Sequence, residues 1–87
     1  MSNNMISFTL YAQNEARQQQ IRIIRECLLN WAEHHDCDFR YVQNLVNLHV
    51  YFPDPDDFAI FRLTWPHPEH QYRVFEPNSR GTYVMRT

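Results

Sequence analysis

The chain has no lysine. All eight of its basic residues are arginine, where average usage would give roughly five lysines in this length. Genomic codon bias explains such a gap, and so does an interface, since arginine suits protein contacts better than lysine does. A lysine-free chain also offers amine-modifying enzymes only its N-terminus. Glycine is nearly absent: Gly81 stands alone. That excludes a glycine-rich phosphate loop and a dinucleotide fingerprint. Cysteine is scarce as well. Cys27 and Cys37 make no disulfide framework, and free thiols are expected, as in a reducing compartment.

Basic excess is missing too. The net charge is −2, which argues against non-specific nucleic-acid binding and is too mild for an acidic DNA mimic. No apolar run approaches the roughly 20 residues of a membrane span. The opening "MSNNMISFTLYA" carries no basic region before its apolar part, so a signal peptide is not expected and a cytoplasmic protein is.

Aromatic side chains are plentiful. Six Phe, five Tyr and two Trp occur among 87 residues, and each ring can bury about 150–250 Å². The length fits a single domain, residues 1–87. So short a chain buries only roughly 60–65% of its unfolded surface, which leaves it marginal or helped by a partner.

Periodicity then gives the elements. Met5 to Ala12 alternates as a strand, with Ile6, Phe8 and Leu10 inward and Ser7, Thr9 and Tyr11 outward. Asn14 is a candidate helix cap, followed by a helix to about His34 whose inner stripe is Ile21, Ile24, Leu28 and Trp31. Ile23 and Leu29 fit its wet side poorly and are flank packing or part of a contact surface. Phe39 to Gln43 and Val46 to Phe52 form a predicted hairpin, with Asn44 and Leu45 at the turn.

The stretch "PDPDD" then opens a second helix. Asp54 can cap it, Pro55 suits the first helical position, and Asp56 and Asp57 favour the positive end of the dipole. The aspartates therefore need no catalytic or metal role. Phe58, Phe61 and Trp65 share one helical face; a strand would instead group Ala59, Phe61, Leu63 and Trp65. Helix is preferred, because strands rarely open on Asp-Pro-Asp-Asp. Strands over Tyr72 to Glu76 and Thr82 to Arg86 follow. The expected fold is α+β: a ferredoxin-like β-α-β-β-α-β sandwich with an antiparallel sheet, both helices on one face, and an extra C-terminal strand.

No residue set reads as a catalytic constellation. His34, His35 and Cys37 at a helix end, with His67 and His70 in a loop, reach tetrahedral metal chemistry only if the loop folds back on that end. The histidines also suit the helix C-terminus through its dipole, and neither metal nor cofactor is expected. Asp36 and Asp38 flank Cys37 and would raise its pKa, the wrong direction for a nucleophile. Two other classes compete. A small dimeric cofactor-free oxygenase would line a pocket with Trp31, Trp65, His49 and Tyr51. A single-stranded RNA-binding sheet would stack bases on Tyr11, Tyr51 and Tyr72 beside Arg40 and Arg73.

The uncovered sheet face is expected to present Thr9, Tyr11, Arg40, Val42, Asn47, His49 and Tyr51. Tyrosine, histidine and arginine with few carboxylates make an interface-like surface, for a homodimer or a docked partner. The expected partner-binding residues are Tyr11, Arg40, His49 and Tyr51.

The stretch "YFPDPDDFAIFRLTW" resembles a pattern in small uncharacterised α/β accessory proteins of tailed bacteriophages, in which a strand leads into acidic residues and an F-x-L-x-W-like end. The resemblance covers Val50 to Trp65 and brings no catalytic residues. It implies a non-enzymatic inhibitor or adaptor that docks on a host or viral protein in the host cytoplasm.

Overall fold

The computed structural model describes residues 4–44 and 46–86. Five strands and two helices follow in the order β1 (Asn4–Thr9), α1 (Glu15–His35), β2 (Arg40–Gln43), β3 (Asn47–Phe52), α2 (Pro55–Thr64), β4 (Tyr72–Pro77) and β5 (Tyr83–Arg86). The strands form one open antiparallel sheet in the order β2-β3-β1-β4-β5. The chain is thus an α+β protein with helices on one side of an antiparallel sheet. Leu45, expected in the β2–β3 turn, lies outside the described residues.

The core forms where alternation meets the helical stripes. Ile6 and Phe8 of β1 and Leu48, Val50 and Phe52 of β3 bury against Ile24, Leu28 and Trp31 of α1 and Phe58 and Phe61 of α2. Phe61 sits at its centre. Its ring lies 5.1 Å from Trp31, 5.2 Å from Phe52, 4.8 Å from Trp65 and 5.0 Å from Tyr72, centroid to centroid. Both indole N–H groups find acceptors, as buried tryptophans require. Trp31 Nε1 donates to Thr64 Oγ1 at 2.9 Å, joining the two helices, and Trp65 Nε1 donates to the His70 carbonyl at 3.3 Å.

The helix reading of Phe58 to Thr64 holds, and the local chemistry explains it. Asp54 has an extended backbone, and its side chain accepts the Asp56 N–H at 2.9 Å; Pro55 follows at the first helical position. Asp57 does something the sequence did not foretell: its Oδ2 accepts the Asp38 N–H at 3.1 Å, tying α2 to the segment that leads into β2.

Two local expectations are corrected. Asn14 makes no side-chain cap; it adopts a positive φ of 55°. The start of α1 is held instead by Gln20 Oε1, which accepts the Ala12 N–H at 3.2 Å, and by Arg17 Nε, which donates to the Ala12 carbonyl at 3.2 Å. Ser7, expected on the wet face, is only 4% exposed. The reason is that β1 is the central strand, with His49 of β3 and Arg73 of β4 flanking Ser7 in register; the same face is roofed over Met5. Met5 stands between Tyr51 of β3 and Phe75 of β4 in register. The Tyr51 ring reaches Tyr83 of β5, 5.9 Å between centroids. That pair bridges over β1 and β4, and Met5 is left 5% exposed.

Candidate functional site

The expected site residues divide. Arg40, His49 and Tyr51 share the sheet face turned away from the helices: Arg40 pairs with Tyr51 and Val42 with His49 across the β2–β3 ladder. Tyr11 does not join them. It lies beyond the end of β1, 77% exposed, in a hollow shared with Gln20 of α1 and the 69–71 segment. Tyr51 is half-buried beneath its contact with Tyr83, so it builds the face more than it projects from it. Burial, with Tyr51 adjacent, pushes the Tyr83 hydroxyl pKa up.

His49 is set by the hairpin turn beside it. Asn44 Oδ1 accepts the N–H groups of Val46 at 3.0 Å and Asn47 at 2.8 Å. Its Nδ2 is thereby turned toward His49 Nε2, 3.1 Å away. An amide NH₂ donates, so Nε2 must be the acceptor and the imidazole proton belongs on Nδ1. Nδ1 is buried and has no hydrogen-bond partner. Burial lowers the His49 pKa, and the facing Asn44 donor opposes a second ring proton.

The strand carrying Arg40 is the most open element of the sheet. Every residue of β2 is exposed, and among the described residues β3 is its only neighbouring strand. The Asn44 N–H donates to the Asn47 carbonyl at 2.9 Å. Antiparallel alternation then has Arg40 and Val42 bonding toward β3, while Tyr41 and Gln43 turn their N–H and C=O groups away from the sheet. Exposed apolar side chains occur on both sides of it: Leu29 of α1 and Tyr41 on the helix side, Val42 on the other face, with Val46 past the turn; Leu29, Val42 and Val46 are each 54% exposed. Between the end of α1 and β2 runs an open groove of about 710 Å³, floored by Leu29, Ala32 and Phe39 and edged by Glu33, Asp36 and Asp38, with Arg40 and Tyr41 on its β2 side. Arg25 marks its other end, with its guanidinium 5.2 Å from the centre of the Tyr41 ring.

The histidine and cysteine set expected to converge does so only in part. Cys27, His34, His35 and His67 line one hollow of about 290 Å³ beside Trp31. Cys37 is elsewhere, buried in the core. Its Sγ donates to the His35 carbonyl at 3.4 Å, and burial, then the Asp57 carboxylate, push its pKa up to about 11. His70 adjoins His67, 6.0 Å between ring centroids, and the two share a second hollow with Tyr72. Among the described residues no group of three or more His, Cys, Asp or Glu side chains is placed to hold a metal ion. Both cysteines are free thiols.

The geometry also separates the residues of the two rival classes. Trp31 and Trp65 belong to the core on the helix side, while His49 and Tyr51 stand on the other face, so these four line no common pocket. Tyr72 likewise packs inward against Phe8 and Phe61, away from Tyr51 and Arg40. Among the described residues, no helix is long and apolar enough to cross a membrane. Comparison with known proteins found no matching family model, no matching curated protein and no matching solved structure.

Proposed function

We propose that this chain is a small non-enzymatic protein-binding module that acts by steric docking through the β2 end of its sheet. The observation that carries the reading is the state of β2, an edge strand exposed along its whole length, with the exposed Tyr41 on its helix side and the exposed Val42 on the other. An uncovered edge strand with apolar side chains on both faces is a surface suited to contact. Arg40 and His49 supply the polar part of that surface, in keeping with the arginine and aromatic bias of interfaces. Tyr11 stands apart and is left out of it.

The fold itself is read here as a ferredoxin-like sandwich extended by one strand. The order β4-β1-β3-β2, with an antiparallel neighbour at each step and β5 added outside β4, supports this. The resemblance of Val50 to Trp65 to phage accessory proteins supports an inhibitor or adaptor in particular, whether the docked protein is foreign or a second copy.

The test compares two tagged proteins in nuclease-treated lysate, the wild type and Arg40→Glu/Val42→Asp, with circular dichroism to show that both are folded. A protein retained by the wild type and lost by the double variant is the expected result. Equal retention by both, or capture that disappears with nuclease treatment of the wild type, sinks the reading. The second outcome puts a single-stranded RNA surface in its place.

A further inference from the structure

We infer that β2 is a strand-accepting edge, and that its occupant is an extended, basic segment of a partner protein, laid antiparallel or parallel along Tyr41 and Gln43 with alternate side chains in the groove beside α1. The inference rests on the docking role proposed above and names what docks there.

Three observations combine. The first is the backbone. Tyr41 and Gln43 offer N–H and C=O groups outward, and an incoming strand can bond them directly. Proteins usually blunt such an edge with lysine, proline or a covering element. Here β2 contains neither residue, and its one charge is Arg40, which borders the groove from the start of the strand.

The second is shape. Added strands gain specificity by sending every second side chain into a pocket. Tyr41 and Gln43 point to the helix side of the sheet, so the groove floored by Leu29, Ala32 and Phe39 lies where the alternate side chains of a strand beside β2 would fall. Its volume of about 710 Å³ takes side chains.

The third is charge. Glu33, Asp36 and Asp38 edge the same groove, all exposed, at the end of α1 and the approach to β2, and outnumber its one lining guanidinium, Arg40. The C-terminal end of a helix adds negative potential at the same place. A segment carrying arginine or lysine between apolar residues fits this rim; an acidic segment is repelled. Charge also tells against a second copy, since this chain carries a net −2.

The experiment is fluorescence anisotropy of a labelled eight-residue peptide alternating valine and arginine, with a valine–glutamate peptide as its counterpart. Three proteins are compared: the wild type, Gln43→Pro, and the triple variant Glu33→Gln/Asp36→Asn/Asp38→Asn. Proline at residue 43 removes an outward N–H only, so the β2–β3 ladder survives. The expected result is saturable binding of the basic peptide, no binding of the acidic one, loss with Gln43→Pro, and about tenfold weakening with the triple variant, along with a shallower salt dependence. Binding that survives Gln43→Pro overturns strand addition. Indifference of the wild type to the basic peptide overturns the basic occupant. If light scattering then shows a dimer that Gln43→Pro dissociates, the edge holds a second copy. In any of these failures, if the lysate partner is still lost in Arg40→Glu/Val42→Asp, the docking role stands while this inference falls.

Discussion

Replacing Phe61 by alanine should come close to unfolding the protein. The side chain has no exposure, and four aromatic rings lie within 5.2 Å of its centroid. Truncating a buried phenylalanine costs about 3–5 kcal/mol, and the value grows with the cavity that neighbours fail to fill. Flat rings held by other contacts collapse poorly, and Trp31 and Trp65 are both pinned by their N–H bonds. Each lost ring pair adds about 0.5–1.5 kcal/mol beyond area, so the upper end of the range is expected. At about 0.05–0.15 kcal/mol per residue, a chain of this length is stable by roughly 4–13 kcal/mol. The single change therefore removes a third or more of that. Near Tm the loss amounts to about 12–40 °C.

Urea unfolding followed by tryptophan fluorescence measures it, because both tryptophans adjoin the altered site. Leu63→Ala is the control on the same helix; Leu63 is exposed, and the change should stay within about 0.5 kcal/mol. A Phe61→Ala cost below about 1.5 kcal/mol, with an unchanged denaturant slope, would refute the aromatic cluster as the centre of the core.

Asp54→Ala removes the acceptor of the Asp56 N–H and should cost about 0.5–2 kcal/mol in the same assay, with Asp54→Asn largely restoring it. His49 should make the fold acid-sensitive. Its folded pKa lies below the ordinary imidazole value of about 6.5. Between those two values the unfolded chain binds the extra proton, so this stability is complete above about pH 6.5 and falls as pH drops toward the folded pKa. His49→Phe should flatten that part of the profile in pH-dependent urea titrations. Asp57→Asn keeps an acceptor for the Asp38 N–H but removes a charge beside Cys37. Cys37 should then react faster with iodoacetamide at pH 8, while Cys27 serves as the internal reference by peptide mass analysis; an unchanged Cys37 rate would count against the Asp57 contact.

What the sequence made legible was local. The alternation in β3 and the Asp54-Pro55 helix start depend on neighbours a few residues away, and both stand as read. What it hid was long-range. Ser7 looks like a wet-face residue until the sheet sets His49 of β3 and Arg73 of β4 on either side of it. Asn14 has the right type for a cap, yet the chain's route from β1 into α1 gives it a positive φ, and Gln20 takes over part of the task. Of the four residues expected to bind a partner, three share a face because strand register forces them to. Tyr11 fails because β1 ends at Thr9. The groove edged by Glu33, Asp36 and Asp38 has no periodic signature; it exists because α1 stops in a left-handed Asp36 and the chain turns back to form β2.

The place of β1 in the sheet also governs how this chain emerges during synthesis. β1 lies between β3 and β4, and its second partner begins only at Tyr72. Translation at about 5–20 residues per second puts roughly 3–13 s between the emergence of Thr9 and that of Tyr72. Ile6 and Phe8 must wait out that interval without their final neighbours. The sheet therefore closes only once β4 has been made, and a ribosome stalled before β4 would hold a chain with its central strand half-paired.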